Sequence, residues 1–169
     1  KKSKMLKKVI LSTDSKLYAK IGLKFGAEVP FIRPKSLATA KAHHPDVVNH
    51  ALKFVEKKEN KKFDYVVMLQ PTSPFRKSKH INEAIKKFLN EKNNSLISIK
   101  KQDYPPWWLF TLKNKRLSQF LKFKNKNVFN LERQEFPSLY RPNGAIYVSK
   151  RYILNDGNLI NPKSCGYYI

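Results

Sequence analysis

Residues 69–76, with the sequence LQPTSPFR, combine an amide, two hydroxyls and a guanidinium directly after the apolar run YVVM. The apolar run predicts a buried β-strand, and ligands of open α/β sheets bind just beyond the carboxyl ends of such strands. Pro71 and Pro74 fix their own φ and favour extended geometry at the preceding residues, so we expect a stiff loop. Gln70 offers donors and acceptors for a base edge or a sugar hydroxyl. The structural alternative is a proline-stiffened loop that binds nothing.

Three further polar runs lie where other strands are expected to end. One is Arg33 with the following loop at 38–45, the second is LERQ at 131–134, and the third is YRPNGAIY at 140–147. Guanidinium and amide groups bind anions and hydroxyls, and Gly144 permits close backbone approach. The simpler interpretations are a carboxylate partner for Arg33 and a hairpin turn at 140–147.

Alternating strands and helices are predicted to position these runs. The expected strands cover 9–11, 29–32, 65–69 and 96–99, and the expected helices cover 16–25, 45–59 and 78–89. Ser15 is suited to cap the first helix and Gly26 to end it. Beyond residue 100 the pattern changes to short strand candidates at 107–112, 120–123 and 145–148. A single three-layer α/β domain over 1–169, with a mixed or antiparallel extension of its sheet, fits this order.

The net charge of +23 raises the question of nucleic-acid binding. Only six of the 35 basic residues are arginine, and the lysines are scattered, often beside asparagine. Proteins that grip phosphate backbones usually use arginine as well and cluster their charge on one face. We therefore interpret the lysines mainly as a compositional bias and expect no nucleic-acid partner, while a general attraction to anionic substrates stays open.

The remaining composition limits the class of protein. Cys165 is the single cysteine, which excludes a disulfide framework or a cysteine-based metal site within the chain. The apolar runs are only a few residues long, so no membrane span or apolar leader is expected. With 41% hydrophobic residues the chain can form an ordinary core, and we expect a cytoplasmic protein.

Four runs of the sequence together resemble the acylneuraminate cytidylyltransferases, also called CMP-sialic acid synthetases. They are STDS at 12–15, FGAEVPFIRP at 25–34, LQPTSPFR at 69–76 and RPNGAIY at 141–147. They occur in the family's order across nearly the whole chain. The resemblance implies a Rossmann-like, three-layer α/β/α nucleotide-diphospho-sugar transferase fold with a mixed sheet.

The resemblance also implies a reaction in which CTP and a nonulosonic (sialic-type) acid give a CMP-sugar and pyrophosphate, for use in surface polysaccharide biosynthesis. Mg²⁺ would neutralise charge on the phosphates, and the complete enzyme would be a homodimer. By position, the following residues match the family's sites: Arg133 as catalytic; Arg33, Ala42, His44 and Gln70 for the nucleotide; Gln70, Thr72, Arg141, Asn143 and Tyr147 for the sugar. The family usually has a small hydroxyl residue where His44 stands.

Two parts of the family pattern are not matched in this sequence. Its glycine-containing phosphate loop is expected before Val9, and its aspartate-rich metal and dimerisation segment is expected after Ile169. No two aspartates here are close in sequence, so no metal ligands are assigned. We therefore expect the chain to be the central part of a cytidylyltransferase and to be inactive alone.

Two other functions remain open. The first is a related cytidylyltransferase for 3-deoxy-octulosonic acid, or for legionaminic or pseudaminic acid. The second is a non-enzymatic basic module that binds nucleic acid or an acidic glycan. Such a module would bind oligonucleotides with a steep dependence on salt and would be indifferent to CTP.

Overall fold

The computed structural model describes residues 3–124 and 127–169. The chain divides into two compact units, the first formed by Lys1–Ser98 with Asn143–Ile169 and the second by Ile99–Pro142. The single domain predicted over 1–169 also includes Lys1, Lys2, Asn125 and Lys126, which lie outside the described residues. In the described part of the chain, no helix is long and apolar enough to cross a lipid bilayer.

The first unit is built on a four-stranded sheet in the order β1-β5-β2-β6. The strands are β1 (Tyr65–Met68), β2 (Ser95–Lys101), β5 (Tyr140–Lys150) and β6 (Cys165–Tyr168), and β2 and β5 continue into the second unit. β1 pairs antiparallel with β5, from Tyr65 opposite Lys150 to Met68 opposite Tyr147. β2 pairs parallel with β6. This mixed sheet with its helices confirms the predicted α/β fold class.

The core of the first unit lies between the sheet and the third helix. The helices are α1 (Lys16–Lys24), α2 (His44–Glu59), α3 (Ser78–Asn90) and α4 (Arg151–Asn155). Apolar residues recur at helical spacing in α3, and the buried ones pack against the central strands. The buried cluster consists of Ala84, Ile85, Phe88, Leu96, Ile146 and Val148. This packing holds β1 and β5 side by side, which fixes where each of them ends.

The helix predictions are confirmed, with shifts of a residue or two at the ends. Ser15 caps α1 by accepting a hydrogen bond from the Tyr18 amide, and Gly26 follows the helix with φ of +80°. α2 begins at His44 rather than Pro45, with the proline in its first turn. α4, which directly follows β5, has no counterpart among the predictions.

The predicted strands at 9–11 and 29–32 are wrong. Only one parallel bridge forms in this region, between Ile10 and Glu28. Two backbone hydrogen bonds support it, from the Leu11 amide to Glu28 and from the Glu28 amide to Val9. Pro30 has no N–H to extend the ladder, so the apolar run beyond it does not become a strand.

The second unit is a hairpin beside an aromatic cluster. β3 (Phe110–Lys113) pairs antiparallel with β4 (Arg116–Gln119), while Pro106–Trp108 is a 3-10 turn. The predicted strand at 107–112 is therefore shortened, and of the predicted strand at 120–123 only Phe123 takes a bridge position. The reason is the tight turn at Asn114 and Lys115, both at positive φ, which sets the hairpin earlier. The buried cluster consists of Phe123, Val128 and Phe136, with Trp107 and Trp108 against it.

Candidate functional site

Gln70 lies two residues beyond the end of β1, and its side chain packs against Gly144 of β5. Gly144 has φ of +77°, a conformation that side chains with a Cβ rarely adopt. A Cβ atom added there would also lie 2.6 Å from the Gln70 Oε1 atom. The positive φ favours glycine, and the absence of a Cβ atom leaves room for the end of the Gln70 side chain beside the backbone of β5.

His44 reaches the same amide from the first residue of α2. Its Nε2 atom lies 3.3 Å from the Gln70 Nε2 atom. A carboxamide nitrogen only donates, so the contact is a hydrogen bond when the imidazole nitrogen carries no proton. The structure thus brings together two of the residues predicted to bind the nucleotide.

Arg76 connects the loop after β1 to β5. Its Nη1 atom lies 2.9 Å from the Gln70 carbonyl oxygen and 2.9 Å from the Ala145 carbonyl oxygen. Burial lowers the pKa of the Arg76 guanidinium from its usual value, although an arginine stays protonated. Among the described residues no carboxylate pairs with it, so backbone carbonyl dipoles hold this cation in place.

Asn143 is held by the backbone of β5 and by Ser98 of β2. Its Oδ1 atom accepts hydrogen bonds from the Ser98 hydroxyl at 2.6 Å and from the Ala145 amide at 3.0 Å. The Ser98 hydroxyl, 1% exposed, accepts in turn from the Ile146 amide at 2.8 Å. The sequence analysis missed Ser98, and the available signal was a hydroxyl in the apolar strand LISI.

Arg33 forms a separate group with the run STDS. Its amide donates to the Thr13 carbonyl, and its guanidinium lies 3.4 Å from the Asp14 carboxylate. The simpler interpretation, a carboxylate partner, is therefore present in the structure. The Arg33 Nε atom is buried without a hydrogen-bond partner, so part of the guanidinium keeps an unused donor.

The other predicted contacts of the first unit take ordinary positions. Ala42 donates its amide to Thr39 in the loop before α2. Thr72 is exposed in the turn that follows Gln70, and Tyr147 is half-buried on β5 opposite Met68. Thr72 is thus at the same end of the sheet as Gln70.

Arg133 and Arg141 belong to the second unit. Arg133 begins a 3-10 turn and lines a cavity of about 430 Å³ together with Lys101 and Tyr104. Glu135 accepts a hydrogen bond from the Glu132 amide, and in the described part of the unit neither carboxylate pairs with Arg133. Arg141 is exposed on β5. The cavity is also lined by Asp103, whose carboxylate lies 3.6 Å from the Lys100 Nζ atom. With that carboxylate paired, Arg133, Lys101 and the Tyr104 phenol are suited to an anion.

The chemistry of these groups does not fit a magnesium site. Mg²⁺ takes oxygen ligands, usually carboxylates, whereas the donors around Gln70 are amides, an imidazole and a guanidinium. Within residues 3–124 and 127–169, no group of three or more His, Cys, Asp or Glu side chains is placed to hold a metal ion. The arrangement is suited instead to binding polar and anionic groups.

Comparison with known proteins gives a consistent result. The family model described as cytidylyltransferase matches residues 1–155. The chain is 33% identical over 167 residues to the N-acylneuraminate cytidylyltransferase of Escherichia coli, covering 98% of this chain and 38% of that protein. It is 33% identical over 170 residues to the post-translational flagellin modification protein B of Campylobacter coli, covering 100% and 70% respectively.

A third relative is named for a different acid. The CMP-N,N'-diacetyllegionaminic acid synthase of Legionella pneumophila is 29% identical over 149 residues, covering 87% of this chain and 61% of that protein. The chain therefore spans between about two fifths and about two thirds of the length of these curated relatives.

Proposed function

The chain belongs to the cytidylyltransferase family, and we propose that it carries the substrate-binding part of an enzyme that transfers a cytidylyl group from CTP to a nonulosonic acid. The relatives named for N-acylneuraminate and for diacetyllegionaminic acid support this substrate class. Within the chain, the observation that carries the proposal is the cluster around Gln70 at the carboxyl end of β1.

The proposed reaction is a single displacement at phosphorus. The anomeric hydroxyl oxygen of the acid forms a bond to the α-phosphorus of CTP, and the bond from that phosphorus to the bridging oxygen breaks. Pyrophosphate leaves with the electron pair, and the hydroxyl proton passes to solvent. Catalysis of such a transfer depends mainly on positioning and on stabilising the phosphoryl charge.

In this proposal the first unit positions both substrates. Gln70, held against Gly144, presents a fixed amide to a base edge or a sugar hydroxyl. Asn143 and Tyr147 contact the sugar from β5, with Thr72 as a further contact. Arg141, which belongs to the second unit, is also a proposed sugar contact. Arg33, Ala42 and His44 contact the cytidine.

Arg133 is the proposed catalytic residue of the second unit. Its guanidinium has no carboxylate partner among the described residues of that unit, and Lys101 lines the same cavity. A planar fork of donors suits the carboxylate of the acid or the transferring phosphoryl group.

Pyrophosphate release tests the proposed function directly. The polypeptide encoded by the gene that contains this chain is incubated with CTP and with each of four acids: N-acetylneuraminic, diacetyllegionaminic, pseudaminic and 3-deoxy-octulosonic acid. We expect release with at least one acid, at a rate that falls strongly when CTP is replaced by UTP or ATP. No release with any acid, together with salt-dependent oligonucleotide binding that CTP does not compete, would favour the basic binding module instead.

Three further parts of the proposal follow from the resemblance. Mg²⁺ is expected to be required, which is measured by pyrophosphate release with and without EDTA. A homodimer is expected, which is measured by sedimentation velocity. The proposed location is the cytoplasm, where CTP is available, and cell fractionation measures it.

A further inference from the structure

We propose that Ser98 and Arg76 are positioning residues for Gln70 and Asn143: Ser98 orients the Asn143 carboxamide, and Arg76 fixes the backbone that carries Gln70 against β5. The proposal rests on the proposed function, because it concerns how the two contact residues of that site are oriented. Neither Ser98 nor Arg76 is assigned to substrate; each acts through hydrogen bonds to the residues that are.

The first argument is the way in which β1 and β5 separate. Their antiparallel pairing runs as far as Met68 opposite Tyr147. Two residues further in the same register, Gln70 would lie opposite Ala145, and these are the two residues whose carbonyl oxygens Arg76 binds. One guanidinium nitrogen, Nη1, which carries two N–H groups, therefore bridges the two backbones just beyond the last paired residues.

The second argument is the irregular backbone of β5 at the same place. Gly144 has positive φ, and the next two amides, of Ala145 and Ile146, donate to side chains. Such a glycine irregularity in a strand redirects the neighbouring side chains, as in a β-bulge. Ser98 contacts residues on both sides of this irregularity, since its hydroxyl donates to the Asn143 Oδ1 atom and accepts from the Ile146 amide.

The third argument is burial. Ser98 is almost fully buried, whereas Asn143 is exposed. A buried hydroxyl with one donor bond and one acceptor bond has a single orientation, and it passes that orientation to the exposed carboxamide. Removing the hydroxyl would leave the Ile146 amide without this partner and would remove the hydrogen bond from Ser98 to Asn143, while the one from the Ala145 amide is kept.

The chain supplies a matched control for Ser98 on the same strand. Ser95 is also buried, and its hydroxyl accepts from the Asn161 amide and lies 3.4 Å from the carbonyls of Asn161 and Ser164. Ser95→Ala therefore removes a buried, hydrogen-bonded hydroxyl of β2 without touching Asn143. If the two variants are equally destabilised in thermal denaturation, any further difference between them comes from the contact with Asn143 and not from a general loss of stability.

The first readout needs no ligand and uses ¹⁵N-labelled protein. In Ser98→Ala we expect the Asn143 side-chain amide resonances to move toward random-coil positions and the Ile146 amide to exchange with solvent at least ten-fold faster. In Ser95→Ala we expect both signals to stay unchanged. Unchanged signals in Ser98→Ala, or the same changes in both variants, would overturn the proposal.

The second readout is kinetic. We expect Ser98→Ala to raise the KM for the acid at least five-fold while the KM for CTP stays within two-fold, and Ser95→Ala to change neither. A wild-type protein that releases no pyrophosphate would refute the proposed function alone, since the amide spectra would still decide the positioning role.

Arg76→Lys keeps the proposal testable if Ser98→Ala does not fold. Lysine retains the charge, but its side chain is one bond shorter than the path to the Arg76 Nη1 atom, and its ammonium lacks the fixed plane that directs the N–H groups of Nη1 at the two carbonyls. We expect the Gln70 side-chain amide resonances to shift and kcat/KM to fall at least ten-fold, whereas Arg116→Lys, at an exposed position of β4, changes neither. Wild-type values of both in Arg76→Lys would contradict the role of Arg76.

Discussion

The arginines at the two ends of the β1–β5 pair have different hydrogen-bond partners. At the end where β1 begins, Arg151 donates two hydrogen bonds to the Glu56 carboxylate, at 2.7 and 2.9 Å, and its amide binds the Asp64 carbonyl. At the end where β1 stops, Arg76 binds only backbone carbonyls. One cation is neutralised by a buried acid, and the other keeps its charge beside Gln70.

Under the proposed function, the difference separates an end of the sheet that stabilises the fold from an end that binds substrate. Arg151, the first residue of α4, and Glu56 of α2 form a bidentate ion pair. This pair links the two helices and contributes to the stability of the fold. An arginine without a carboxylate partner leaves a positive potential for a triphosphate or an acidic sugar. Substitutions at the first end should therefore change the free energy of unfolding, and those at the second end should change turnover.

Glu56→Gln is expected to have the largest effect, and on stability. Glu56 is 7% exposed, and its loss leaves the Arg151 charge without its partner. We expect the free energy of unfolding to fall by about 3 kcal/mol, with kcat changed less than two-fold. Urea denaturation measures this, and Glu91→Gln, which breaks the exposed pair with Lys87, should change the free energy of unfolding far less. A large loss of turnover in folded Glu56→Gln would contradict the claim that this end of the sheet contributes only to stability.

Arg133→Lys extends the comparison to the second unit, where this exposed arginine has no carboxylate partner among the described residues. If the guanidinium binds a carboxylate or phosphoryl group with two donors, lysine cannot replace it, and kcat should fall by about a hundred-fold at unchanged stability. A surface arginine without that role would cost under about 1 kcal/mol and leave turnover intact. Near-normal kcat would remove Arg133 from the catalytic machinery.

Gln70→Ala is expected to reduce kcat/KM by about ten-fold or more, the effect of one or two lost hydrogen bonds to substrate. Gln119→Ala, at an exposed position of β4, is the matched control and should be neutral. Because this chain is expected to be inactive alone, steady-state pyrophosphate release by the polypeptide that the gene encodes measures both. Equal values for the two variants would return Gln70 to a structural role.

The smallest expected effect is on the pH dependence of stability. The hydrogen bonds from Arg151 hold the pKa of Glu56 below its usual range. A lowered pKa in the folded state stabilises the fold above the unfolded-state pKa of about 4.3, and that stability is lost as the pH falls through the lowered pKa. As the pH falls below about 5, we expect wild type to lose stability more steeply than Glu56→Gln. Parallel curves from thermal denaturation would contradict the assignment.

The sequence predicted the elements whose signals are local. The caps and apolar spacing of α1, α2 and α3 are local, and so is the apolar run of β1. The strand predictions that are wrong concern runs whose pairing depends on residues distant in sequence. The runs at 9–11 and 29–32 look like strands, but a strand requires a ladder, and only Ile10 and Glu28 form a bridge.

For the candidate site, too, the sequence predicted the residues that are recognisable by type and not those that depend on a distant contact. Gln70 and Gly144 were visible because strand-end amides and glycines are recognisable residue types. Ser98 was not, because a serine in an apolar strand becomes informative only when Asn143, 45 positions away, is found beside it. The exact bound of β5, which extends from Tyr140 to Lys150 rather than 145–148, likewise depends on pairing with β2.

A titration of the ¹⁵N-labelled protein with CTP tests the central claim most directly, because it reports both ends of the sheet at once. We expect saturable shifts of the Gln70 side-chain amide and of the Gly144 backbone amide, with the backbone amides of Asn60 and Arg151 unmoved. Shifts confined to Asn60 and Arg151, or no shift at either end at millimolar CTP, would contradict the assignment of nucleotide binding to the Gln70 end.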